Sequence, residues 1–136
     1  MIRIALLVNA DHASERDGLL TMVNAGANVF LPDELPAVYL IHLAALIEFD
    51  ESESGSQVRT DLSITDPTGV RTGMGVVTTT FGPSTYPAEG MRQRIPLAVS
   101  VPLLAKEAGL YVLEAKPERG EGATIDLLVV APHSDA

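Results

Sequence analysis

The chain contains no cysteine and no tryptophan, and only three phenylalanines and three tyrosines among its 136 residues. Without thiols it has no disulfide framework and no thiolate metal site. With so few rings, its core must be aliphatic, built from Val, Leu, Ile and Ala. Positive charge is scarce as well: nine basic residues face eighteen acidic ones, a formal charge of -9. A nucleic-acid backbone or an anionic membrane surface is repelled by such a chain, so neither is expected as a partner. The longest uncharged apolar stretch, Ala37 to Ile47, is too short to cross a bilayer and includes His42. Met1 to Val8 carries a single charge and no small-residue cleavage pattern follows it, so no signal peptide is read. These absences point to a cytoplasmic protein of one domain over 1–136, with a frayed polar tail at 131–136.

What the chain does have is alternation of period two. Ile2, Ile4, Leu6 and Val8 mark an opening strand, and Asp11 to Asp17 with Gly18 reads as a turn before the apolar Leu19 to Val23. Ala37 to Phe49 reads as a buried strand, because Val38, Tyr39, Ile41 and Ile47 are strand formers; a helix starting near Asp33-Glu34 is the alternative. Gln57 to Thr65 alternates cleanly, and Asp66-Pro67-Thr68-Gly69 has the chemistry of a hairpin turn. Val70 to Phe81, with Gly73 and Gly75, predicts an edge strand with a bulge. After a loop from Gly82 to Gly90, Ile95 to Leu103 is the most regular alternation, and Pro96 and Pro102 put that strand at an edge or have it leave the sheet at both ends. Leu110 to Lys116 and Thr124 to Val130 complete seven or eight strands.

Leu103 to Tyr111 spells L-x-x-x-E-x-G-x-Y. That spacing resembles the tyrosine corner of immunoglobulin-like sandwiches, in which a tyrosine opening one strand returns its hydroxyl to the backbone upstream. Gly109 and Tyr111 are its structural residues, and the fold expected is an all-β, immunoglobulin-like antiparallel sandwich. Three further stretches follow one another in order: Asp17-Gly18-Leu19-Leu20 running to Gly26, the Ala37 to Ile47 strand entering Glu48-Phe49-Asp50-Glu51, and Leu62 to Gly69. With Gly109-Leu110-Tyr111, they resemble a family of small uncharacterised bacterial proteins, mainly actinobacterial. The resemblance implies a sandwich and carries no activity, cofactor or catalytic residue.

The candidate chemistry is thin. Asp50, Ser52, Ser54 and Gly55, closed by Asp61, partly mimic a calcium loop, since hard cations need converging oxygens and a sharp turn at the glycine. Serine stands where acids are usual, and a strand follows instead of a helix, so a solvated acidic hairpin loop is the better reading. Asp11 to Asp17 gathers His12, Ser14 and acids, but nucleophilic catalysis needs a base, an orienting group and oxyanion donors brought together across a fold, so a turn role is favoured. His42 interrupts an apolar run with no partner ligand nearby in sequence, which suits a core or interface histidine better than a metal ligand. Arg92 and Arg94, with Lys106 further on, make a small basic point where an anion site is conceivable, although two arginines usually just solvate a strand entrance.

Apolar residues on both faces of Ala37 to Ile47 and of Ile125 to Val130 leave more surface than a two-sheet sandwich buries. The sequence therefore points to a non-enzymatic interaction or assembly module with a protein partner or a second copy, meeting through a sheet edge or apolar face. Tyr39, Ile41 and His42 are the candidate interface residues, and no cofactor is expected. The competing reading is a metal- or small-molecule-binding protein, or a hydrolase, using the Asp50 loop or the Asp11 to Asp17 turn.

Overall fold

The computed structural model describes residues 1–82 and 92–133. Among them are ten strands and no α-helix: β1 (Ile2–Ala10), β2 (His12–Arg16), β3 (Leu19–Val23), β4 (Val29–Phe30), β5 (Ala37–Phe49), β6 (Gln57–Thr65), β7 (Arg71–Thr80), β8 (Gln93–Ala105), β9 (Gly109–Pro117) and β10 (Ala123–Val129). One sheet has the order β1-β5-β8, a second β4-β10-β9-β6-β7, and β2 with β3 forms a separate hairpin. The surplus over seven or eight strands comes from that hairpin and the two-residue β4. The loop expected from Gly82 to Gly90 and the end of the expected tail fall on 83–91 and 134–136, outside the described residues.

The two larger sheets face each other across an aliphatic core. Ile41, Leu43, Ala45 and Ile47 of β5 and Val101 and Leu103 of β8 meet Val58, Leu62 and Ile64 of β6, Leu113 of β9 and Leu127 of β10. Alternation decides which residues enter, because every second side chain of a strand points the same way. β5 is a strand of thirteen residues, paired with β8 along its whole length and with β1 from His42 onward, so its apolar run is accommodated without a helix.

β1 departs from its simple alternation. Ile4 pairs with Ile47 and Leu6 with Leu46, so Ala5 is an extra residue in a bulge. The phase flips there: Ile2, Ile4 and Leu7 enter the core, while Leu6 and Val8 are only half-buried. β1 also stitches the sheets together along one side. Besides pairing with β5, it bonds to Glu121 just before β10: Glu121 N–H donates to the Ile2 carbonyl and Ile4 N–H to the Glu121 carbonyl, both at 2.9 Å. Gly120 makes this approach possible, since a Cβ there would lie 2.0 Å from the Ile2 carbonyl oxygen.

On the opposite side, the last described strands of the two sheets are β7 and β8. β7 carries the expected bulge: Leu62 pairs with Gly75 and Ser63 with Gly73, leaving Met74 unpaired and turned towards the core. The turn before it is built as read, the Asp66 carboxylate accepting from Thr68 N and Val70 N, each at 2.9 Å.

The segment from Asp11 to Asp17 is not a turn. His12–Arg16 pairs with Leu19–Val23, and only Asp17 and Gly18 reverse the chain, with φ of 53° and 77°. Two consecutive positive φ angles match the right-handed twist of the flanking strands, and Asp-Gly adopts them readily.

Candidate functional site

The outer face of the three-stranded sheet is where the chain's unusual surface lies. On β5 the odd-numbered residues from Ile41 onward fill the core, so the even-numbered ones look outward. The pairings Val38 with Leu104 and Leu40 with Pro102 place four apolar side chains side by side on β5 and β8. All four are exposed, Val38 by 70%, Leu40 by 58% and Leu104 by 51%. β1 ends opposite His42, so among the described residues this end of β5 is strand-paired only on the β8 side. The interface candidates are thereby redistributed. Ile41 is wholly buried in the sandwich, and the Tyr39 ring lies 4.5 Å from that of Phe30, centroid to centroid. The outward positions belong to their neighbours Val38 and Leu40.

His42 marks the middle of the face. It is half-buried, and its Nδ1 lies 2.9 Å from Ser100 Oγ directly across on β8. The β2–β3 hairpin lies against β5 and β8 here, with the His12 ring 6.4 Å from that of His42. Part of the surplus apolar face is thus covered by the chain's own hairpin.

The far end is occupied by a charge cluster of which the sequence showed only Arg92 and Arg94. Glu48 is only 3% exposed, and a buried carboxylate needs charged partners. It has three: Arg3 Nε at 3.1 Å and Arg92 at 3.0 Å on Oε1, and Arg94 Nε at 3.1 Å on Oε2. Arg3 and Arg94 are the cross-strand neighbours of Glu48 on β1 and β8. The Arg92 hydrogen bond, then those of Arg94 and Arg3, hold the carboxyl below its ordinary range against the opposing effect of desolvation. Lys106, grouped with Arg92 and Arg94 in the sequence reading, follows the other end of β8 and is not part of the cluster. The signal that could have found Glu48 is a lone charge inside the run Ala44-Ala45-Leu46-Ile47-Glu48-Phe49.

The acidic loop is spent on local structure. Asp50 caps a single 3₁₀ turn, Glu51–Glu53, accepting from Ser52 N at 3.2 Å and from the Ser52 hydroxyl, and its other oxygen meets the N-terminal ammonium at 2.7 Å. Those contacts, the ammonium first, draw its pKa down to about 2. Ser54 closes the turn, while Asp61 sits exposed within β6, paired with Val76 and Lys116. Among the described residues no group of three or more His, Asp or Glu side chains is placed to hold a metal. The Asp11 to Asp17 segment spends its carboxylates on the hairpin: Asp11 accepts from Asn24 Nδ2 and Glu15 from Gly18 N, each at 2.8 Å.

Tyr111 is buried near the start of β9, and its hydroxyl donates to the Glu107 carbonyl at 2.7 Å. Gly109 precedes it at φ 138°, where a Cβ would meet the Pro67 ring at 2.8 Å. Beside them, a groove of about 470 Å³ opens between β7 and β8, lined by Val38, Val70, Met74 and Leu104, with Asp66 and Lys106 among its polar groups. Set beside protein-family models, curated proteins and solved structures, the chain matches none.

Proposed function

We propose that the chain is a non-enzymatic interaction or assembly module on an immunoglobulin-like sandwich, engaging a protein partner or a second copy through the outer face of its three-stranded sheet. The observation that carries this reading is the exposed quartet of Val38, Leu40, Pro102 and Leu104, contiguous across two paired strands. Monomeric soluble proteins scatter such residues singly and gather them where something docks.

The immunoglobulin-like part rests on strand order and on the corner. Apart from the β2–β3 hairpin and β4, seven strands remain, β1-β5-β8 facing β10-β9-β6-β7. Tyr111 near the start of β9 bonds four residues upstream, as the tyrosine of such a corner does. Association by a face is favoured over association by an edge. β8 carries Pro96 and Pro102, which cannot donate to an added strand, and the bulge at Met74 interrupts the β7 edge.

The experiment is sedimentation velocity over a concentration series, with affinity capture from the native cell, comparing wild type with the Leu40→Glu/Leu104→Glu double variant. Both residues are exposed, so the variant keeps the wild-type melting temperature within a few degrees. It is expected to lose self-association or the captured companion. A wild type that stays monomeric and captures nothing, or a variant that associates like wild type, overturns the reading.

A further inference from the structure

We infer that Arg3, Arg92 and Arg94 around Glu48 form a binding site for an oxyanion, a carboxylate or phosphate group that settles on the outward side of the three guanidiniums. This site lies at the other end of the sheet from the apolar quartet: Leu40 and Glu48 are eight positions apart on one strand, about 26 Å at the rise of an extended chain. The two sites therefore stand or fall separately.

The first argument is stoichiometry. Elsewhere among the described residues, the arginines that pair with carboxylates do so one to one or are outnumbered: Arg71 pairs with Glu114, Arg16 with Asp17, and Arg119 with both Glu53 and Glu118. Among the described residues the ratio is reversed only around Glu48, where three guanidiniums meet one carboxylate and these four groups together carry a charge of +2. This occurs in a chain with twice as many acidic as basic residues. Among the described residues no other carboxylate lies within ion-pairing distance of these three arginines. Neutralising one buried carboxylate needs one guanidinium, and the others repel each other unless a second anion joins them.

The second argument is donor geometry. Each guanidinium carries five N–H groups in a planar fork. Each gives one hydrogen bond to Glu48, while its side chain remains 42% to 59% exposed. Glu48 thus acts as the floor of the site. It draws guanidiniums from both neighbouring strands and from the residue preceding β8 towards one point, and leaves their remaining donors on the solvent side. An oxygen anion is the ligand that such forks take in bidentate fashion.

The test is a titration of the ¹⁵N-labelled chain, read at the arginine Nε–H signals, with inorganic phosphate in one arm and tetraglutamate peptide in the other, and tetraglutamine as the neutral control. Saturable shifts confined to Arg3, Arg92 and Arg94, weakening as salt rises, are expected in at least one arm, and the arm that saturates at lower concentration identifies the source of the anion. Arg92→Gln lies outside the strands and should fold normally; it is expected to weaken binding at least threefold, while Arg71→Gln on the other sheet leaves it unchanged. Shifts that grow linearly without saturating in both arms, or that are equal in Arg92→Gln, overturn the inference. Neither outcome bears on whether Leu40 and Leu104 mediate association.

Discussion

Gly120→Ala would put a methyl group where the backbone of β1 already sits, and Gly26→Ala supplies a matched control. The two glycines have nearly the same φ, 100° and 97°, so the cost of holding alanine in that conformation, about 1–2 kcal/mol, is common to both. They differ in space. A Cβ at Gly26 meets nothing within 4 Å, whereas at Gly120 it falls 2.0 Å from the Ile2 carbonyl oxygen and 3.0 Å from the Ile2 Cβ. Relief requires β1 to move away, which breaks the Glu121-to-Ile2 and Ile4-to-Glu121 hydrogen bonds, together worth about 1–3 kcal/mol. It also begins to uncover Ile2, which is 1% exposed; losing half of its burial adds about 1 kcal/mol. The expected difference between the variants is therefore about 2–4 kcal/mol on these contributions, a large share of the 5–15 kcal/mol that typically holds a domain together. Urea unfolding followed by circular dichroism measures it, provided both variants keep the wild-type m-value. If the two variants unfold at the same midpoint, the closure of the sandwich by β1 at Glu121 is not what the structure describes.

Two further outcomes are expected. Tyr111→Phe keeps the buried ring and removes only the hydroxyl on Glu107, so it costs about 1 kcal/mol, or about 3–5 °C in Tm; a change above 3 kcal/mol would mean that the corner does more than make this one hydrogen bond. Acid should weaken the fold, because Asp50, Asp66, Glu48 and Glu53 all have pKa values lowered by their partners, Asp50 to about 2 by the N-terminal ammonium first, Asp66 first by the Thr68 hydroxyl, Glu53 first by Arg119. Carboxylates with depressed folded pKa values contribute stability that is complete above the unfolded value near 4 and is lost as pH falls through the folded value. Tm should be flat above about pH 5 and fall between about 4 and 2, and Asp66→Asn should flatten part of that descent; a Tm that does not change down to pH 2.5 contradicts it.

Features set by local chemistry were legible in the sequence. The β5 run, the Asp66-Pro67-Thr68-Gly69 turn, the glycine bulge of β7 and the prolines of β8 all emerged where they were read, because each depends on residues close together in the chain. The β2–β3 hairpin was missed although Asp17-Gly18 is a strong hairpin signal, since His12-Ala13-Ser14-Glu15-Arg16 has no apolar alternation to advertise a strand. The bulge at Ala5 was invisible because inserting a residue in phase with one neighbour is a property of the pairing with β5, not of β1 alone. The arginine cluster was half seen. Arg92 and Arg94 stood out, but Glu48 and Arg3 join them only through register between strands more than forty residues apart.

Pro96 and Pro102 along one rim and the kink at Met74 along the other have a consequence for how the chain behaves when crowded. Lateral growth by adding strands, the route by which many β-rich chains stack into fibrils, meets missing donors on one flank and a broken ladder on the other. Concentrated material should thus gain its shelf life from the same residues that make these two flanks poor templates.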